Sequence, residues 1–136
     1  MRYLIIVLSV LMLTACSSTI MLSKPGGEPI TKGKLEFRFS SPHRLSVALN
    51  GKVYEGDVDR SEADNSAELR ERYPAFSKHF EKISQGHNSI HHVHLYKGVL
   101  KASDSSTLTC EFVSSTSGEI VGTCDDGLGQ IYEVHK

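Results

Sequence analysis

Seven histidines stand in this chain, and four of them fall in one short stretch: His87, then His91, His92 and His94 around Val93. Alternate side chains of a strand point the same way. A strand through this run puts His92 and His94 on one face with Tyr96, and His91 with Val93 and Leu95 on the core side. Two neutral imidazoles at i and i+2 begin a Zn²⁺ or Cu²⁺ site. A working site needs a third ligand. His87, in the preceding loop, is the first candidate, and His43, His135, Asp57 and Glu133 are others among which spacing does not choose. The plainer reading, and the one the spacing favours, is a polar exposed strand face with His91 hydrogen-bonded at the core edge. Such histidines also make a surface sensitive to mildly acid pH.

Other chemistry is sparse. No Gly-x-Ser-x-Gly, His-Glu-x-x-His, phosphate loop or dinucleotide fingerprint occurs, so the reading is non-enzymatic and without a cofactor, Zn or Cu aside. Cys110 and Cys124 lack the CxxC spacing of thiol–disulfide catalysts. Asp104, Asp125 and Asp126 sit among Ser and Gly and read as turn residues. The alternating oxygens of a calcium loop are missing around them. The net charge is -1, with no basic excess for nucleic acid. There is no tryptophan, which excludes a broad aromatic platform for sugars. Gly51 to Gly56 and Gly127 to Tyr132 echo each other loosely as Gly-then-Tyr strand starts.

The elements that position these residues follow from periodicity. Leu35, Phe37 and Phe39 alternate with Glu36 and Arg38, and Leu45, Val47 and Leu49 alternate with Ser46 and Ala48. Asn50-Gly51 is the signal for a type I′ hairpin, and Val53 and Tyr54 continue the return strand. Residues 34–58 thus read as a three-stranded meander. From Ser61 to Ser84 the period changes. Leu69, Tyr73, Phe76, Phe80 and Ile83 draw one stripe down a helix, kinked or divided at Pro74 and ended by Gly86. Strands resume at Ser89. Ile90 to Lys97, a bend at Gly98, Leu108-x-Cys110-x-Phe112, Ile120-x-Gly122-x-Cys124 and Ile131 to His135 read as a four-stranded meander. The expected fold class is α+β: two antiparallel meanders, forming a sheet or small barrel, joined by a central amphipathic helical segment.

The N-terminus says where the chain goes. Arg2 gives a positive n-region, and Tyr3 to Leu13 is nearly all hydrocarbon, too short to span a bilayer comfortably and followed by Ser17, Ser18 and Thr19. This is a signal-peptide layout. Leu13-Thr14-Ala15-Cys16 resembles the bacterial lipobox. The resemblance implies cleavage before Cys16, a diacylglyceryl thioether on its sulfur and acylation of its new amine. Ser17 and Ser18 resemble the sequences that are passed on to the outer membrane. The expected organisation is a signal peptide over 1–15, a lipidated flexible tether over 16–33, rich in Gly and Pro, and a single β-rich domain over 34–136. Removal of the leader leaves Cys110 and Cys124 as the other cysteines of an oxidising compartment. They read as a disulfide, with two separate buried thiols as the alternative.

With Gly98-x-Leu100, Leu108-x-Cys110, Gly122-x-Cys124, Gly127 and Tyr132, the chain resembles small, functionally unassigned lipoproteins of Gram-negative bacteria. In size, anchor and disulfide use it is similar to the lysozyme-inhibitor lipoproteins. It departs from them in its central helical segment and offers no match to their inhibitory loop. The expected function is non-enzymatic: an outer-membrane lipoprotein, held by its N-terminal lipid, whose periplasmic β-rich domain binds an envelope protein. The alternative is a periplasmic Zn- or Cu-binding lipoprotein using His87, His92 and His94.

Overall fold

The computed structural model describes residues 16–38, 42–61, 71–73, 93–115 and 118–136. Eight antiparallel strands follow one another in chain order and close into a barrel: β1 (Cys16–Ser23), β2 (Pro29–Phe37), β3 (His43–Leu49), β4 (Lys52–Ser61), β5 (Val93–Lys101), β6 (Thr107–Ser115), β7 (Ile120–Asp125) and β8 (Ile131–His135). Closure comes from β1. Its whole length runs along β2, from Cys16 opposite Phe37 to Ser23 opposite Pro29. Its last three residues, Met21, Leu22 and Ser23, pair with His135, Val134 and Glu133 of β8.

Period-2 alternation sorts the side chains. Ile20, Leu22, Leu35, Leu45, Val47, Val58, Leu100, Leu108, Phe112 and Val134 fill the interior, and the disulfide lies among them. Outside stand charged residues such as Lys34, Glu55, Asp57 and Lys97, all exposed. This is the reverse of a membrane-spanning barrel, whose outer wall is apolar. An eight-stranded barrel leaves an interior just wide enough for side chains, and two glycines show how tight it is. A Cβ on Gly33 would come within 2.9 Å of the Ile20 side chain and 3.0 Å of Val47. One on Gly122 would run into the Glu111 carbonyl and the Phe112 backbone.

The α+β expectation is corrected. All eight elements of the described residues are strands, closed into a barrel around its own core, and none of these elements is a helix. Of the expected helix, Ser61 ends β4, and Glu71 and Arg72 have helical backbone but are too few to form an element. Tyr73 is also described, and the rest of that stretch lies outside the described residues. The expected tether is corrected as well. Ser18, Ile20 and Leu22 are buried on alternate positions, and most of residues 16–33 belongs to β1 and β2. Only Lys24 to Glu28 turn between them, with Gly27 N–H donating to the Lys24 carbonyl at 2.8 Å.

The hairpin at Asn50-Gly51 is as expected, with φ of 53° and 74° at the two residues, the double positive φ of a type I′ turn. Cys110 and Cys124 face each other across β6 and β7 and are bonded, with a Cα–Cα distance of 4.1 Å.

Candidate functional site

The up-and-down topology gives the barrel two ends. One carries Cys16, the end of β2, the start of β3 and the C-terminus. The other carries the turns at residues 24–28, 50–51, 102–106 and 126–130.

At the Cys16 end the interior closes with rings. Phe37 meets His43 edge-on at 5.4 Å between centroids, His43 meets Tyr96 at 5.4 Å, and Tyr96 stacks on Phe112 at 5.4 Å. Burial pushes the Tyr96 phenol above its ordinary pKa, against the opposing pull of Arg60. The Arg38 N–H donates to His43 Nδ1 at 3.0 Å. Lys136 Nζ donates to Ser18 Oγ at 2.5 Å, tying the C-terminus to β1. Cys16 is exposed and has a free thiol.

The register corrects which face of the histidine strand is inward. Tyr96 belongs to the barrel core, so His94 shares the interior face, and Leu95 faces out. The pattern misled because Leu95 is nonetheless buried. It pairs with Val113, which pairs with Val121, making an apolar row on the outer wall. Tyr73 is buried to 4% exposure, and its hydroxyl donates to the Glu111 carbonyl of β6 at 3.3 Å. The Arg72 guanidinium meets the Glu111 carboxylate at 2.7 Å. Burial, then the Glu111 charge, pushes the Tyr73 phenol up to about 12.

His87, His91 and His92 lie outside the described residues. Of the other candidate ligands, His43 shares the inward face with His94. His135, Asp57 and Glu133 stand on the outer register of their strands, where Asp57 meets Arg44 at 3.6 Å and His135 Nε2 lies 3.4 Å from Ser23 Oγ. Among the described residues no group of three or more His, Cys, Asp or Glu is placed to hold a metal ion.

The opposite end is built from turns stiffened by carboxylates. Asp125 Oδ1 accepts from the Gly127 N–H at 2.7 Å. Asp126 Oδ1 accepts from the N–H groups of Leu128 at 2.8 Å and Gln130 at 3.1 Å, and Asp126 N–H donates to the Gln130 carbonyl at 3.1 Å. Gly127 and Gly129 take φ of 73° and 99°, values that only glycine adopts without strain. The loop is thereby closed on itself with Leu128 at its tip, 89% exposed. Exposed Ile131 follows it at the start of β8, and exposed Ile30 and Val53 open β2 and β4 at the same end. Ile30 and Val53, with Ala48 and Leu49, line a shallow depression of about 420 Å³.

In the neighbouring turn Lys52 Nζ meets Asp104 Oδ2 at 2.6 Å. That hydrogen bond, with two more from Ser106, holds the Asp104 carboxyl far below the usual carboxylate range. Two tyrosines close the interior here. The Tyr54 hydroxyl meets Ser106 Oγ at 3.4 Å, and Asn50 Nδ2 donates to Tyr132 Oη at 3.4 Å. The loose Gly-to-Tyr echo in the sequence thus marks two similar plugs at one end. The Asp125-Asp126-Gly127 turn is as expected, but the exposure of Leu128 was not anticipated. The signal was an apolar residue between two glycines within a turn.

Comparison with protein-family models, with curated proteins and with solved structures gave no match.

Proposed function

We propose that this chain is a non-enzymatic lipoprotein of the outer membrane whose periplasm-facing barrel binds a protein of the cell envelope through the turn end. The lipobox-like Leu13-Thr14-Ala15-Cys16 supports the anchor. The single observation that carries the binding role is the loop around Leu128. A large apolar side chain at 89% exposure is displayed by a backbone that Asp126 clamps at two N–H groups. Pre-ordering of this kind lowers the cost of ordering a loop on binding, and a projecting leucine is an aliphatic anchor of the kind that fills a pocket in a partner. Exposed Ile131 follows Leu128 at the start of β8 and adds apolar area beside it, and exposed apolar area of this kind marks interaction sites.

The test is affinity capture after crosslinking in intact cells, comparing the native chain with Leu128→Glu. A saturable protein partner is expected from the native chain, with recovery at least tenfold lower for the variant at an unchanged unfolding temperature. Equal recovery from both, or no saturable partner across several growth conditions, would refute the reading.

A further inference from the structure

We propose that the Cys16 end of the barrel rests directly on the bilayer that holds the lipid, so the barrel stands upright on the membrane with its turn end pointing away. This rests on the reading of Cys16 as the lipidated residue, and it goes beyond that reading by fixing an orientation. Chain length sets the orientation. A lipid on Cys16 would be attached to the first residue of β1, whose Cα partner is Phe37. Ser17, Ser18, Thr19 and Ile20 continue the ladder opposite Glu36, Leu35, Lys34 and Gly33. No loose residue separates the anchor from the wall.

The headgroup layer on each side of a bilayer is about 5–7 Å thick, and a strand rises roughly 3.3 Å per residue. The residues beside Cys16 therefore sit at headgroup depth. They are Phe37, the partner of Cys16 and a half-buried aromatic ring, and Arg38, an exposed cation. Aromatic rings and long cationic side chains are the kinds that settle at a membrane interface. Seven residue steps along β1 place the other end on the order of 20 Å further out. A flexible tether of some 17 residues would instead let the barrel wander by about 20 Å in any direction, with no preferred end.

The test uses the full chain, purified from bacterial membranes and reconstituted in phosphatidylethanolamine/phosphatidylglycerol vesicles carrying a headgroup quencher. A fluorophore is placed by Arg38→Cys in one sample and by Leu128→Cys in another, and intact mass is measured on both. The expected result is an acylated protein in which the label at 38 is quenched at least threefold more than the label at 128. A twelve-residue Gly/Ser insertion between Cys16 and Ser17, which leaves Ser17 to Ser23 in the ladder, should abolish most of that contrast. Equal quenching at the two positions in a protein whose mass includes the acyl chains would overturn the orientation alone. A mass without acyl chains would overturn the lipidation reading, and the orientation with it.

Discussion

The two ends of the barrel are closed by different means. At the Cys16 end, a row of rings from Phe37 through His43 and Tyr96 to Phe112 fills the interior, and Lys136 clasps Ser18. At the turn end, Tyr54 and Tyr132 reach up to hydroxyl and amide partners while carboxylates of Asp104, Asp125 and Asp126 hold the turns above them. Apolar contact thus dominates one end and hydrogen bonding to short turns the other. Carboxylate-held turns can display a side chain such as Leu128 that makes no contribution to the fold. An end closed by packed rings has its apolar groups turned inward, with little left to offer a partner in water.

Substitutions can tell the two ends apart. The largest effect is expected from Phe112→Ala, which empties the shared interior and should cost about 3–5 kcal/mol, lowering the denaturant midpoint and loosening both ends together. Next is the bridge. Replacing Cys110 and Cys124 with serine, or adding reductant, removes a crosslink over a short loop and should cost about 3 kcal/mol in the chain-entropy model. A shift in thermal unfolding temperature checks it. Asp126→Ala separates the ends. Loss of an acceptor for two N–H groups should cost about 1–3 kcal/mol, and partner capture should fall while labels near Arg38 report an unchanged environment.

The smallest effect is electrostatic and confined to the turn end. The Asp104 carboxyl has a depressed pKa when folded, so its contribution to stability is present above the ordinary carboxylate pKa of about 4 and fades as the pH falls below it. Asp104→Asn should lower the neutral-pH midpoint slightly, since the ion pair with Lys52 is exposed, and leave the midpoint in acid unchanged, so that this part of the acid dependence of unfolding disappears.

How far the sequence revealed this depended on whether a signal was local. Asn50-Gly51, Leu45-x-Val47-x-Leu49 and the facing of Cys110 and Cys124 are local patterns, and each appears in the structure as read. β1 was hidden because Ser17, Ser18 and Thr19 are polar and the Gly- and Pro-rich turn follows at once. Its pairing with β8, more than a hundred residues away, is what makes Ile20 and Leu22 interior. The face of β5 was misread because both of its faces bury apolar groups. Leu95 lies in the outer row with Val113, near which Tyr73 is also buried, and alternation cannot say which of two buried faces is the core. Leu128 went unnoticed because exposure of one apolar residue in a turn depends on the hydrogen bonds of Asp126, which no periodicity reports.

The measurement that bears most directly on the division of labour between the ends is site-specific photocrosslinking in living cells, with the reactive residue at Leu128 in one strain and at Arg38 in another. The account predicts a discrete protein adduct from position 128 and none from position 38. Protein adducts from position 38, with position 128 silent, would contradict it.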